Sequence, residues 1–179
     1  MDGPSDHDLM ARTAQGDGRA FQTLAGRHAG RALGLARRIL GSDSLAEDIV
    51  QDALLRVWIN APRWRPEAAF RTWLYRIVIN LCLNAKRRAP DLPLAAAEHV
   101  ADPAAGADAQ LEASERDRRL AAAVDALPAR QRAAIALTYQ EGLGNAEVAA
   151  VLDTSVSGVE TLLVRAKRAL RAAFDTDQT

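Results

Sequence analysis

With 179 residues, only 4% aromatics and abundant Ala, Leu and Arg, the chain can hold one domain or two small ones, built from helices that meet through small side chains. Its single cysteine, Cys82, excludes an internal disulfide, and with His7, His28 and His99 scattered no metal-ligand spacing arises, so neither metal nor cofactor is implied. No apolar run is long enough to span a bilayer and no secretory leader is legible, which predicts a cytoplasmic protein without membrane insertion; a net charge of zero argues against tight DNA binding by the chain alone.

Residues 7–40 read as two helices interrupted near Gly16–Gly18, the second burying Phe21, Leu24, Leu33 and Ile39. Ser44 is positioned to cap the next helix, with Glu47 at the capping-box position. There Ala46, Ile49, Val50, Ala53, Leu54, Val57 and Trp58 follow the i, i+3, i+4, i+7 spacing of a buried stripe. Beside it stand Glu47, Asp48, Gln51, Asp52 and Leu55, either a solvated acidic face or a docking surface for a basic partner helix. Pro62 and Pro66 make 60–67 a loop.

A helix over Phe70–Arg88 follows. One arc carries Phe70, Leu74, Ile77, Val78, Leu81 and Ala85 and reads as core. The neighbouring arc aligns Trp73, Arg76, Asn80, Asn84 and Arg87, a set able to stack on bases, read their edges and hold phosphate. Loop residues Arg63, Trp64 and Arg65 add charge and a second stacking ring, although Trp73 taken alone reads better as a core residue. Ile79 and Leu83 fall outside both arcs and predict a further packing surface, while Cys82 reads as a small residue lining a helix contact. Across 63–88 seven cations face only Glu67; across 89–115 six acids stand without a cation.

Residues 89–111, rich in Pro, Ala and acids, read as a flexible linker with room for a short helical piece near 94–99. As a coil its ends lie roughly 25–30 Å apart, and fully extended it reaches about 80 Å. A second helical domain follows, with Pro128 in the first turn of its second helix. Gly144 and Glu147 open a bracing helix over Ala146–Leu152, and Ser155 caps the last helix. That helix turns Val159, Leu162, Leu163, Ala166 and Leu170 inward. Ser157, Glu160, Thr161, Val164, Arg165, Arg168 and Arg171 face outward, the first of them towards base edges and Arg165 and Arg168 towards phosphate. The capped tight turn favours a DNA-binding helix-turn-helix over a hairpin in a bundle. The expected fold is therefore all-α: two small helical domains, 1–88 and 112–179, joined by an acidic flexible linker, 89–111.

AEDIVQDALLRVW (46–58), FRTWLYRIVINLCLNAKRR (70–88) and LPARQRAAIALTYQEGL…EVAAVLDTSVSGVETLLVRAKRALR (127–171) resemble, in order and spacing, the extracytoplasmic-function group of bacterial RNA polymerase sigma factors of the sigma-70 superfamily. The resemblance implies a non-catalytic initiation subunit that binds core RNA polymerase and promoter DNA. It implies that Glu47, Asp48, Gln51, Asp52 and Leu55 meet the β′ clamp helices, with further contacts to the β subunit. Arg63, Trp64, Arg65, Trp73, Arg76, Asn80, Asn84 and Arg87 would recognise and open the minus-ten element. Ser157, Gly158, Glu160, Thr161, Arg165 and Arg168 would read the minus-thirty-five element as duplex. An anti-sigma factor is a further implied partner. The last helix departs from the group's pattern in carrying Glu160 and Leu162 where basic residues are common. The rival reading is a free-standing helix-turn-helix regulator with a sensory or dimerising first domain, which would bind its operator tightly without polymerase.

Overall fold

The computed structural model describes residues 3–88 and 118–175, and no strand occurs among them. The linker, its possible helical piece and the start of the second domain lie outside those residues.

Helices α1 (Asp6–Ala14) and α2 (Gly18–Leu40) meet at a corner built by Asp17. One carboxylate oxygen of Asp17 accepts the Arg19 and Ala20 N–H groups at 3.0 and 3.1 Å and so caps α2. Its other oxygen takes Arg12 from Nε and Nη2 at 2.9 and 2.7 Å. Helix α2 ends at Gly41, which adopts φ 69°, a conformation that costs glycine nothing.

Helix α3 (Asp43–Asn60) is capped by Ser42 and not by Ser44. The Ser42 hydroxyl accepts the Leu45 N–H, and Ser44 lies inside the first turn. Glu47 is drawn to Arg37 at 3.3 Å, so the expected capping box does not close. Pro62 sits in a tight turn, Ala61–Arg63, within the predicted loop. Helix α4 (Phe70–Arg88) then returns across α2 and α3. Leu24, Leu35, Ile39, Val57, Leu74 and Val78 are fully buried between these helices. Each large aliphatic of this set stabilises the fold by about 1.5–3 kcal/mol.

Helix α4 is buried on more than the one arc the periodicity predicts. Phe70, Leu74 and Val78 form the expected strip, and Tyr75, Ile79 and Cys82, at i, i+4 and i+7, form another. The position of Ile79 outside both arcs was the sequence signal of that second strip. Burial pushes the Cys82 thiol up to about 12, so it stays a protonated packing group.

In the second unit, residues 118–125 are helical (α5) and precede α6 (Ala129–Ile135). Pro128 stands just before α6 instead of within its first turn, its carbonyl accepting the Gln131 and Arg132 N–H groups. The helix widens over Ala136–Gln140, where the Glu141 N–H reaches back five residues to the Ala136 carbonyl. Helix α7 (Asn145–Leu152) opens as expected, the Gly144 N–H donating to Glu147 Oε2 at 3.0 Å. Asp153, at φ 51°, turns the chain into α8 (Val156–Asp175), and Ser155 Oγ accepts the Gly158 N–H at 3.0 Å. Val159, Leu163 and Ala166 seal α8 onto α6 and α7.

The two units do not stand apart. Helix α7 lies against α4, and α6 touches α2 and α4. Arg132, 5% exposed, donates from Nη1 to the Ile39 carbonyl at 3.0 Å across that contact, and from Nη2 to the carbonyls of Leu127, at 3.1 Å, and Asp125. A linker alone does not predict such packing.

Candidate nucleic-acid and polymerase interfaces

Three surfaces collect the residues singled out in the sequence. The first is the outer side of α3, where Glu47, Asp48 and Gln51 are exposed and Asp52 is half-buried. Two of these acids are already paired, Glu47 with Arg37 and Asp52 with Arg56, the latter through two bonds of 3.1 Å. Leu55 and Ile59, one helical turn apart, are 56% and 62% exposed and give the acidic face an apolar centre. Ile59 was not identified in the sequence because it follows the last residue of the acidic pattern. Trp58 packs edge-on against Phe21 at 5.2 Å.

The second surface is a concavity of about 580 Å³ between the 60–69 loop and α4. Arg63, Trp64, Arg65, Trp73, Arg76 and Asn80 all line it. Trp64 and Trp73, their rings 6.4 Å apart, form its aromatic wall, and behind them His7 lies 5.6 Å from Trp64 and Phe70 lies 6.0 Å from Trp73. Trp73 thus both packs on the core and lines the concavity, so the two readings of it are not exclusive. Arg56, Asn60 and Thr72 join the lining through the turn of the chain at 61–63, which no periodicity reveals. Asn84 and Arg87 lie farther along α4, outside the concavity, and Arg87 donates to Asn84 Oδ1. The geometry offers ring faces, amide edges and guanidinium groups around a space large enough to admit a base.

The third surface is the outward side of α8. Ser157, Glu160, Thr161, Arg165 and Arg168 are exposed there. The Thr161 hydroxyl donates to the Ser157 carbonyl at 2.9 Å. Gly158 differs from the rest. A Cβ at that position would lie 2.4 Å from Thr154 Oγ1, so its first task is to let the turn close. Val156 and Val164 are exposed on this helix, 44% and 65%, and provide apolar contacts of the kind a thymine methyl accepts. Lys167 stands over the Tyr139 ring at 5.3 Å. Among the described residues no cluster could hold a metal ion, and no helix is long and apolar enough to cross a membrane.

Between the units, burial pushes Tyr75 upward, and its hydroxyl donates to Glu141 at 2.5 Å. Burial also lowers Arg132 and Lys86 and raises Asp125, while the mutual attraction of Asp125 with both cations opposes these shifts.

Fold and surfaces together define a two-unit helical protein with a ring-lined cationic concavity on the first unit and an exposed, arginine-bearing last helix on the second. Sigma-70 region 2 matches residues 24–90, and Sigma-70 region 4 matches residues 117–170. The ECF RNA polymerase sigma factor SigM of Mycobacterium tuberculosis is 36% identical over 93% of this chain and 83% of its own length. The RNA polymerase sigma factor CnrH of Cupriavidus metallidurans is 34% identical over 97% of both. Among solved structures, CnrH in complex with the cytosolic domain of CnrY superposes with a TM-score of 0.70 at 32% identity, covering 98% of this chain and all of that one. The sigma factor RpoE of Bartonella quintana, in complex with the anti-sigma factor NepR, shares the fold, with a TM-score of 0.68 at 20% identity over 88% of this chain and 98% of its own. The chain belongs to the extracytoplasmic-function sigma factors of the sigma-70 family, and its function is promoter recognition in transcription initiation with core RNA polymerase. The free-standing regulator reading is not favoured.

Proposed function

We propose a division of labour among the three surfaces. The α3 face, with Leu55 and Ile59 at its centre and Glu47, Asp48, Gln51 and Asp52 around them, docks on the β′ clamp helices of the polymerase. An exposed apolar pair ringed by acids suits a basic, amphipathic partner helix. The concavity takes an unstacked base of the minus-ten element. Trp64 and Trp73 form its ring wall, Asn80 reads the base edge, and Arg63, Arg65 and Arg76 hold the flanking phosphates, with Asn84 and Arg87 continuing along the strand. Unstacking costs a few kcal/mol per base, and stacking on aromatic rings returns about 1–3 kcal/mol. Helix α8 reads the minus-thirty-five duplex through Ser157, Glu160 and Thr161, anchored by Arg165 and Arg168, with Gly158 shaping the turn beneath them.

The observation that carries this reading is the convergence of six predicted minus-ten residues on one concavity. The phosphodiester chemistry is the polymerase's, so the chain acts as a non-catalytic subunit wherever the polymerase works, in the cytoplasm. An anti-sigma protein is the expected negative regulator, as CnrY is the partner in the CnrH structure. The test is permanganate footprinting of holoenzyme on promoters mapped from the host genome. Arg76→Ala with Asn80→Ala is expected to leave the closed complex intact and abolish strand opening. Arg165→Ala with Arg168→Ala is expected to lose the closed complex itself. Strand opening by the Arg76→Ala, Asn80→Ala variant, or an intact closed complex with the Arg165→Ala, Arg168→Ala variant, would overturn the assignment.

A further inference from the structure

The aromatic wall of the concavity belongs to a closed circuit of contacts that starts and finishes on α1. Asp6 Oδ2 accepts from His28 Nε2 at 2.7 Å, and the His28 ring meets Phe70 edge-on at 5.0 Å. Phe70 reaches Trp73 at 6.0 Å, Trp73 reaches Trp64 at 6.4 Å, and Trp64 reaches His7 at 5.6 Å. His7 follows Asp6 directly on the same helix. The circuit thus ties α1, α2, α4 and the loop after the 61–63 turn to one another, and α1 touches the wall from both ends.

Helix α1 is itself firmly held. Leu9 and Met10 are buried in the core. Asp6 Oδ1 accepts from Arg27 Nη1 at 3.0 Å, and the same nitrogen donates to the Pro4 carbonyl at 2.8 Å. At the far end Arg12 is bound to Asp17. Trp64, by contrast, follows a three-residue turn and precedes the exposed, non-helical residues 65–69, so its ring depends on neighbours from other elements. Helix α1 packs on that turn, and His7 and Trp73 are the rings beside Trp64. His7 is exposed and lies outside the lining of the concavity. Helix α1 also precedes residues 24–90, the stretch that Sigma-70 region 2 matches.

We propose that His7 is a positioning residue of the minus-ten site: α1 braces the Trp64 ring beside Trp73, so that the wall stands formed before a base arrives. This rests on the reading of the concavity as the minus-ten pocket. A ring that must be ordered as the base enters gives up part of the stacking gain to its own lost rotamer freedom, about a two- to tenfold effect for one side chain. A ring already held by its neighbours has lost that freedom on folding, and tilted ring pairs of this separation are attractive in themselves. His7 therefore acts through Trp64 and not on the base. The Asp6–His28 bond serves the other end of the wall through Phe70.

The test compares His7→Ala, at an exposed position, and His7→Phe, which restores a ring, with the unaltered chain in holoenzyme on promoters mapped from the host genome. His7→Ala is expected to leave closed-complex affinity within about twofold and to slow strand opening, followed by a permanganate time course, by about two- to tenfold. His7→Phe is expected to recover most of that rate. In the full chain labelled with fluorinated tryptophan, the Trp64 fluorine resonance, identified by its loss in Trp64→Phe, is expected to move in His7→Ala. The resonance of Trp58, which packs on Phe21, is expected to stay. An unmoved Trp64 resonance, an unaltered opening rate, or slow opening that phenylalanine does not recover would each overturn the brace. So would a fall in closed-complex affinity as large as the fall in opening, the mark of a merely structural defect. Normal opening by Arg76→Ala with Asn80→Ala is the separate result that would overturn the base reading, whatever His7 does.

Discussion

Replacing Arg132 with Met tests the physical account of how the two units are joined. The guanidinium is 5% exposed and donates to three carbonyls, those of Ile39, Leu127 and Asp125, with the Asp125 carboxylate 3.7 Å away. Hydrogen bonds from a charged donor are worth about 1.5–3 kcal/mol each, which gives about 4.5–9 kcal/mol for three. Against this stands the desolvation of the cation, several kcal/mol, reflected in its lowered pKa and in an Nε without a hydrogen-bond partner. The methionine stem preserves most of the apolar packing, so the net loss is about 3 kcal/mol. Urea denaturation followed by far-UV circular dichroism reads both units together, which tryptophan fluorescence does not, since Trp58, Trp64 and Trp73 all lie in the first. With a urea slope of about 1–3 kcal/mol per molar, the midpoint is expected to fall by about 1–3 M. Arg132→Lys, whose single ammonium cannot span three carbonyls, is expected to lie in between. An Arg132→Met midpoint within about 0.2 M of the unaltered protein would refute the reasoning, because it would mean that desolvation cancels every bond the guanidinium makes.

Three further outcomes are expected. Gly158→Ala drives a Cβ to 2.4 Å from Thr154 Oγ1 and is expected to destabilise the second domain by about 1–3 kcal/mol; adding Thr154→Ala should restore most of it, and a double-mutant cycle in urea shows whether it does. Leu55→Ala with Ile59→Ala, both mainly exposed, should change stability by less than about 0.5 kcal/mol yet weaken binding to core polymerase about tenfold or more, as surface plasmon resonance would show. The Asp17 carboxyl is held below its ordinary 3.8 first by the Ala20 N–H and then by Arg12, so its contribution is full above that value and fades as pH falls through the depressed one. Asp17→Asn should therefore flatten the acid limb of the thermal midpoint below pH 3.8, an effect absent if Asp17 titrates at its ordinary value.

What the sequence revealed follows the range of the interactions involved. Local rules placed the Gly16–Gly18 break, α4, the Gly144–Glu147 opening of α7 and the Ser155 cap, because each is decided within a few residues. Ser42 and Ser44 are chemically equivalent caps two residues apart, and Arg37, in the last turn of α2, captures Glu47 from ten positions away. No local rule ranks those choices. The stripe on α4 was legible from its period, but Arg56, Asn60 and Thr72 enter the concavity only because the turn at 61–63 folds α3 back beside α4. Gly158 was grouped with its exposed neighbours, whereas the space it must leave is inside the turn. The contact between units is the least legible feature. Tyr75 and Glu141 are separated by 66 positions, and only the off-arc Ile79 and Leu83 hinted that α4 had a second packing surface.

Above all, this chain tells a polymerase where to begin. Core polymerase transcribing host genomic DNA with and without the chain, followed by sequencing of the 5′ ends, tests that directly. The expected result is a discrete set of starts that appears only with the chain and shares two upstream elements about two helical turns apart. Identical 5′ ends in the two reactions would contradict it.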